Sequence, residues 1–395
     1  MAPVKELNFL SLKVNGAEER FETEISTYHH RVVFLTDILG SQIVSIFNDL
    51  MFSVAPAYKN VKRFINYRRR FNGRIAYDSG GYQFLLGKIK EPPDPNRTIY
   101  VYKMLGFTDK DFLIQLDLPP AYYMSKQERL GLIRRSAEFY HVMRRELNVL
   151  GVVHGWTFDE LQYSLKLLED CDEKIATGTY AATSVIASHA AQAEMVLQRT
   201  PRRIIFERLA DVSQLLKDYE IFMLGCSNPN IIHIAFLLGS KYCDGGSWRI
   251  AAAHGVIFIP EHGRFSIGRK RVSKRLTDYN LLKKYYEESP FEPSFKEFLS
   301  MLKNDFKTRA MWNAWVLKYE EEIANLFANN PEKYYKYLLR RFSKSKFWLN
   351  VLNFVWNRYK QKYVQTDLRI FLKTNFNTTL RKTAKDLLFP VLSNG

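Results

Sequence analysis

The sequence predicts an α/β protein: a (β/α)8 TIM barrel over residues 1–263, followed by a mainly α-helical, basic domain over 264–395. Three observations carry this expectation. Short β-branched or aromatic runs alternate with amphipathic helical stretches up to about residue 260, the pattern of parallel βα units. The alternation stops near 264–275, and the rest of the chain is helical, aromatic and basic. No GxGxxG follows a first strand, which would have favoured the runner-up, an open doubly wound sheet.

The candidate strands, in chain order, are RVVFL (31–35), RIAYD (74–78), DFLIQLD (111–117), LGVVHG (150–155), KIATGT (174–179), RIIFE (203–207), IFMLG (221–225) and KYCDG (241–245). Helical patterns such as KQERLGLIRRSAEFYHVMRREL and FDELQYSLKLLED lie between them. The second spaces Leu161, Leu165 and Leu168 on one face, and Thr157 with Glu160 three residues on predicts a capping box at its start. The proline-containing stretch 86–110 is long for a βα connection, a length that usually marks a lid or binding loop. Beyond the boundary, SFKEFLSMLKNDFKTRAMWNAWVLKYEEEIANLF, EKYYKYLLRRF and KFWLNVLNFVWNRYK read as helices, with Trp312, Trp315, Trp348 and Trp356 as core residues at helical spacing.

Of 395 residues, 46% are apolar and 25% charged, the balance of a globular chain with ample material for a core. No apolar run is long enough to span a bilayer. The first residues lack the apolar core of a signal peptide. Three cysteines with no CxxC pair argue against a disulfide framework or a cysteine-rich zinc site, and for a reduced, cytoplasmic setting. Of the net charge of +17, residues 264–395 supply +15 (27 Lys/Arg against 12 Asp/Glu), which leaves +2 for the first 263. A near-neutral body with a basic C-terminal third suits a polyanionic partner. Arg269, Lys270, Arg271, Lys274, Arg275, Arg340 and Arg341 are the candidate phosphate contacts.

Four candidate strands end in reactive groups: Asp78, Asp117, His154 and Asp244. Parallel strands of a barrel bring their C-terminal ends to one mouth, where active sites are built. Any one aspartate there could be an N-cap of the next helix. Three of them close together repel one another and lose hydration, which raises at least one pKa and yields a proton donor beside an ionised carboxylate. Gly80 and Gly81 after Asp78, and Gly245 and Gly246 after Asp244, leave room for backbone to approach a ligand. Tyr82, Tyr122, Tyr123 and Tyr180 either supply flat faces for a planar ligand or pack the rim. Ser79 sits in DSGG, but the chain lacks GxSxG, the leading glycine of the protease motif and an identifiable triad, so a serine hydrolase is excluded. Paired carboxylates without metal ligands fit cleavage of a nucleotide N-glycosidic bond, in which one carboxylate traps or stabilises the sugar cation and another moves protons. The base must first leave its stack.

FINYRRRFNGRIAYDSGGYQ resembles the segment of tRNA-guanine transglycosylases that ends in DSGGFQ, and DFLIQLDLPP their second aspartate segment. LGVVHGWTFDELQYSLKLL is similar to their GIVQGG strand and the following helix. IFMLGCSNPNIIHIAFLLGSKYCDGGSWRIAAAHGVIF is similar to the region that carries their nucleophile. The order holds over about residues 30–260. The resemblance implies Asp244 as nucleophile on C1′, Asp78 as acid/base and base contact, and Asp117 as reader of the base edge. It also implies that Ser79, Gly80, Gly81, Tyr82, Gln83, His154, Gly155, Thr179, Tyr180 and Arg249 line the substrate site. The chain departs from the family at the glutamine of GIVQGG (His154 here), at the GGxxxGE loop (TGTYAATS, 177–184) and at the CxCxxC zinc motif, for which no cysteine follows Cys243. With the zinc motif replaced by basic helices, the chain is most similar to the DNA 7-deazaguanine transglycosylases of bacteria and their viruses. That implies guanine exchange in DNA for a 7-deazaguanine such as 7-cyano-7-deazaguanine, in the cytoplasm of a bacterium or a phage-infected host. DNA and the free base would be partners, with no cofactor or metal, and with self-association or an accessory protein left open. A divergent tRNA enzyme and a non-catalytic nucleic-acid-binding subunit remain the alternatives.

Overall fold

The computed structural model describes residues 31–35, 49–54, 61–85, 92–169, 171–178, 200–267 and 274–360. Within them the chain is an α/β protein built on a nine-stranded, all-parallel sheet. The strands are β1 (Arg31–Leu35), β2 (Asp49–Ser53), β3 (Arg74–Asp78), β4 (Phe112–Ile114), β5 (Val149–Leu150), β6 (Val152–Val153), β7 (Lys174–Thr177), β8 (Glu220–Met223) and β9 (Ser240–Gly245). Their order is β5-β4-β3-β2-β1-β9-β8-β7-β6. The two outermost members are separated in sequence only by Gly151. Each flank of this interrupted strand has its own neighbour: Leu150 is in register with Ile114, and Val152 with Ala176.

Because side chains alternate across a strand, the sheet has two apolar faces. Met51, Ala76, Phe112, Ile114, Leu150, Val152, Ala176, Phe222 and Tyr242 form one cluster. At its strand-start end Arg74 covers it, with the guanidinium 4.9 Å from the Phe112 ring centroid and donating to the Tyr242 hydroxyl at 3.0 Å. Their neighbours Leu50, Phe52, Ile75, Tyr77, Leu113, Val153, Ile175 and Ile221 face the helices and belong to a second, larger cluster.

The helices start where side chains can satisfy free backbone N–H groups. Asp94 caps α3 (Pro95–Leu105), Ser125 and Glu128 form a capping box on α4 (Lys126–Arg144), and Asn228 caps α7 (Pro229–Leu237). The two preceding helices are α1 (Val61–Arg70) and the short α2 (Gly81–Leu85). Thr157 accepts from the Glu160 N–H at the start of α5 (Phe158–Leu167), as the sequence suggests. The Glu160 carboxylate, however, accepts from the Trp156 N–H and from Arg129.

Two expectations about the strands need correction. RIIFE is not a strand but part of α6 (Arg202–Leu215). Pro201 sets its start, and Ile205, Leu209, Val212 and Leu216 recur at helical spacing and are all buried. The missing member of the parallel sheet is β2, DLMFS, which pairs β1 and β3. β4 is also shorter than expected: the Gln115 N–H still donates to Leu150 O at 3.1 Å, and beyond it the Gln115 side chain takes over the bridging. Its Oε1 accepts from the Val152 N–H at 2.9 Å and its Nε2 donates to Ser136 O at 2.9 Å.

After α8 (Ser247–Ala253) comes an antiparallel hairpin, β10 (Val256–Ile259) and β11 (Gly263–Ser266), so the boundary expected at 263/264 falls inside its second strand. Five helices come next: α9 (Tyr279–Glu287), α10 (Phe295–Asn304), α11 (Phe306–Asn325), α12 (Pro331–Phe342) and α13 (Lys346–Lys360). These helices share the larger apolar cluster with the sheet. Asn313 on α11 accepts from the Phe258 N–H at 2.7 Å and donates to Trp248 O at 3.0 Å. Arg358 on α13 pairs with Asp211 on α6 at 2.5 Å. Trp312, Trp315 and Trp356 are buried, as expected of core residues, and Trp348 is half-buried against the same cluster. Among the described residues no helix is long and apolar enough to cross a membrane.

Candidate active site

All strands of the main sheet point one way, so groups at their C-terminal ends share one edge. Asp78 is the last residue of β3, Asp244 the penultimate residue of β9, His154 follows β6, and Asp117 lies three residues past β4. Asp117 and Asp244 are buried, and Asp78 keeps partial exposure. Burial, and next the charge of Asp117, pushes Asp78 up to about 7, against the Gly80 N–H and the Ser53 hydroxyl. Burial pushes Asp244 up to about 8. There the Gly225 N–H, 2.7 Å from Oδ1, opposes the rise and the charge of Asp78 adds to it. Asp78 and Asp244 thus bind protons near neutral pH, each raised by burial first and then by a neighbouring carboxylate.

The surrounding residues fix this geometry. Ser79 is fully buried and its hydroxyl donates to Asp117 Oδ1 at 3.4 Å. Gly81 is obligatory: a Cβ there would lie 1.9 Å from Asp117 Oδ1 and 2.5 Å from Asp117 O. Gly80 has φ 90°, which an L side chain rarely adopts, and turns the chain into α2. Tyr82 has a buried hydroxyl with no hydrogen-bond partner. Gln83 donates from Nε2 to Ser53 Oγ at 2.8 Å, so it braces the Asp78 partner. On the other flank, a Cβ at Gly245 would lie 2.3 Å from Ser227 Oγ.

His154 is fully buried, with Nε2 2.9 Å from Asp117 Oδ2. The contact is too poorly aligned for a hydrogen bond, and neither ring nitrogen has a hydrogen-bond partner. Gly155 is next in the chain with φ 152°, where a Cβ would meet the Leu161 N–H nitrogen at 2.7 Å. Arg249 is half-buried on α8, five residues after Asp244. Thr179 and Tyr180 lie outside the described residues, as do Arg269, Lys270 and Arg271.

Of the remaining phosphate candidates, Lys274, Arg275 and Arg340 are exposed. Arg341 is corrected: its side chain is 1% exposed and forks onto Glu320, with both nitrogen–oxygen distances 2.7 Å. The helical phase explains it. Tyr334, Tyr337 and Leu338 form the buried stripe of α12, and Arg341 continues it at the next turn.

Several supporting residues escape a reading of the sequence: Ser53 at the end of the unexpected β2, Gly225 and Ser227 beside Asp244, and Arg208 on the helix whose RIIFE run looks like a strand. Among the described residues there is no group of three or more His, Cys, Asp or Glu side chains arranged to hold a metal ion. Cys171, Cys226 and Cys243 are free thiols. No protein-family model matches the chain, and no curated protein matches it.

Proposed function

We propose that the chain is a (β/α)8-barrel pentosyltransferase that exchanges guanine in DNA for a 7-deazaguanine base. The barrel reading is supported by strand pairing: β5 and β6, split only by Gly151, act as one strand that joins β4 to β7, which closes the order into a ring of eight. The observation that carries the chemistry is the carboxylate cluster at the strand ends, in which Asp78 and Asp244 titrate near neutrality.

Asp244 attacks C1′ of a flipped deoxyguanosine; a C1′–O ester bond forms as the C1′–N9 bond breaks. Guanine takes the electron pair of that bond and a proton from Asp78. The incoming base then loses its N9 proton to Asp78 as N9 attacks C1′, and the ester electrons return to Asp244. Two inversions retain configuration and leave both aspartates as they began. With Asp244 at about 8 and Asp78 at about 7, the singly protonated pair holds its proton mainly on Asp244. The reactive form, with Asp78 protonated and Asp244 ionised, is the minor one, favoured by the Gly225 N–H on Asp244 and by the charge of Asp117 beside Asp78. Asp117 and His154 offer a polar edge to the base. Lys274, Arg275 and Arg340 supply exposed cations for phosphates.

The test is to incubate the protein with labelled 7-cyano-7-deazaguanine and either guanine-containing DNA or tRNA. Label is expected in DNA. Label in tRNA alone makes the chain a tRNA enzyme, and label in neither polymer removes the exchange reading.

A further inference from the structure

Arg208 lies on α6, outside the carboxylate cluster, and is 1% exposed. A guanidinium carried into the interior costs several kcal/mol of lost hydration unless its N–H groups are met by acceptors. Here the acceptors belong to the ends of two strands. Nε donates to Gly155 O, the carbonyl just after His154, and Nη1 donates at 2.5 Å to Gly178 O, the carbonyl just after β7. The guanidinium plane also lies over Trp156, 5.4 Å from its ring centroid.

These two carbonyls flank His154. Gly178 packs so closely on the imidazole that a Cβ there would be 3.2 Å from His154 Cε1. Gly155 has a backbone shape and a close approach to α5 that only glycine tolerates, so the direction of its carbonyl is fixed by more than Arg208 alone. The clamp extends to the Asp117 side. Trp156 Nε1 donates to Pro120 O at 2.8 Å, three residues beyond Asp117. Glu160 takes the Trp156 N–H at 2.8 Å and pairs with Arg129 at 2.7 Å, and Arg129 in turn donates to Tyr122 O. Three strand-end loops are thus tied through Arg208 and Trp156.

We infer that Arg208 is a positioning residue for the base pocket: it fixes the backbone on both sides of His154 and so the placement of the imidazole against Asp117. The ligand of that pocket rests on the base-exchange reading; the clamp itself does not.

Arg208→Gln and Arg208→Lys in the full chain separate the two ideas. With labelled 7-cyano-7-deazaguanine and DNA, Arg208→Gln is expected to raise the KM for the free base at least about tenfold, with kcat and the KM for DNA within about threefold. Arg208→Lys, which keeps the charge but not the fork, falls between it and the wild type. A role in folding alone would lower the active fraction, and hence kcat, at unchanged base KM. The His154 imidazole 15N signal, assigned by its loss in His154→Asn, reads the clamp without turnover. It is expected to shift in both Arg208 variants. An unchanged His154 signal overturns the inference whatever the exchange assay gives, and so does a shifted signal with an unchanged base KM. If the wild type exchanges no base, the functional reading fails and the His154 signal alone decides on Arg208.

Discussion

Two buried polar clusters in this molecule solve the same electrostatic problem in opposite ways. At the junction of α7, α11 and α12, His233, Glu320 and Arg341 are enclosed with Tyr334 and Tyr337. His233 Nε2 donates to Glu320 Oε2 at 2.9 Å, and Nδ1 takes the Tyr334 hydroxyl at 2.5 Å. Burial alone would raise Glu320, but Arg341 and then His233 hold it down at about 2. At the strand ends, by contrast, Asp78 and Asp244 are raised to about 7 and 8, and His154 has no hydrogen-bonded partner on either ring nitrogen. Compensated burial serves architecture. At the strand ends the Gly225 N–H on Asp244, and the Gly80 N–H and Ser53 hydroxyl on Asp78, offset burial only in part, a pattern more common at functional sites than in purely structural pairs.

The sharpest break in the comparison is Asp244→Asn. On the proposed base exchange the side chain keeps its size but loses the attacking carboxylate, so labelled-base incorporation into DNA should fall by at least about a thousandfold. Full activity in a sample free of back-deamination would remove Asp244 from the mechanism. The same treatment of the other cluster acts on folding instead. Glu320→Ala leaves Arg341 and His233 buried without their carboxylate and should cost about 3–5 kcal/mol in denaturant unfolding. A loss below about 1 kcal/mol would mean that the junction is not compensated as described.

The contrast also shows what the sequence can carry. The strand-end carboxylates are legible because an apolar β run that stops at an aspartate marks both the strand and its exit. Arginines on the apolar stripe of a helix stay hidden. Arg208 lies between Ile205 and Val212 on the buried face of α6, and Arg341 extends the Tyr334, Tyr337, Leu338 stripe of α12. In composition both count as surface charge; only the helical phase tells them from Arg340, which is exposed. For Arg208 the phase is masked, because RIIFE by itself has the β-branched and aromatic content of a strand. β2 escapes notice because DLMFS has no β-branched residue and opens on Asp49, whose carboxylate lies 3.7 Å from Arg74 Nε on the neighbouring strand.

A smaller effect separates the clusters by pH. Asp78 takes up protons more readily folded than unfolded, so between about 4 and about 7 its contribution to stability falls as pH rises. Asp78→Asn should therefore stabilise the fold by about 1–3 kcal/mol at pH 8, with no gain at pH 4. The junction has the opposite sign. Burial, then Arg341, lowers His233 from 6.5 to about 4, so the folded state resists its protonation and stability is lost as pH falls through that window. Thermal unfolding of wild type and Asp78→Asn from pH 4 to 8 checks this; a difference between them that does not change with pH would contradict the raised pKa.

The weakest expected effect tests the neighbouring pair Arg340 and Arg341, adjacent in sequence but turned about 100° apart around α12, one to solvent and one to the core. Arg340 is exposed, so Arg340→Ala should change stability by no more than about 0.5 kcal/mol. If it meets a DNA phosphate, the substitution lowers the slope of log K against log salt by about one, equally for all sequences. Arg341→Ala should leave that slope unaltered in whatever fraction remains folded, because its guanidinium is spent on Glu320. A salt slope that responds to Arg341 and not to Arg340 would put the phosphate contact on the residue held in the core, which requires α12 to repack when DNA binds.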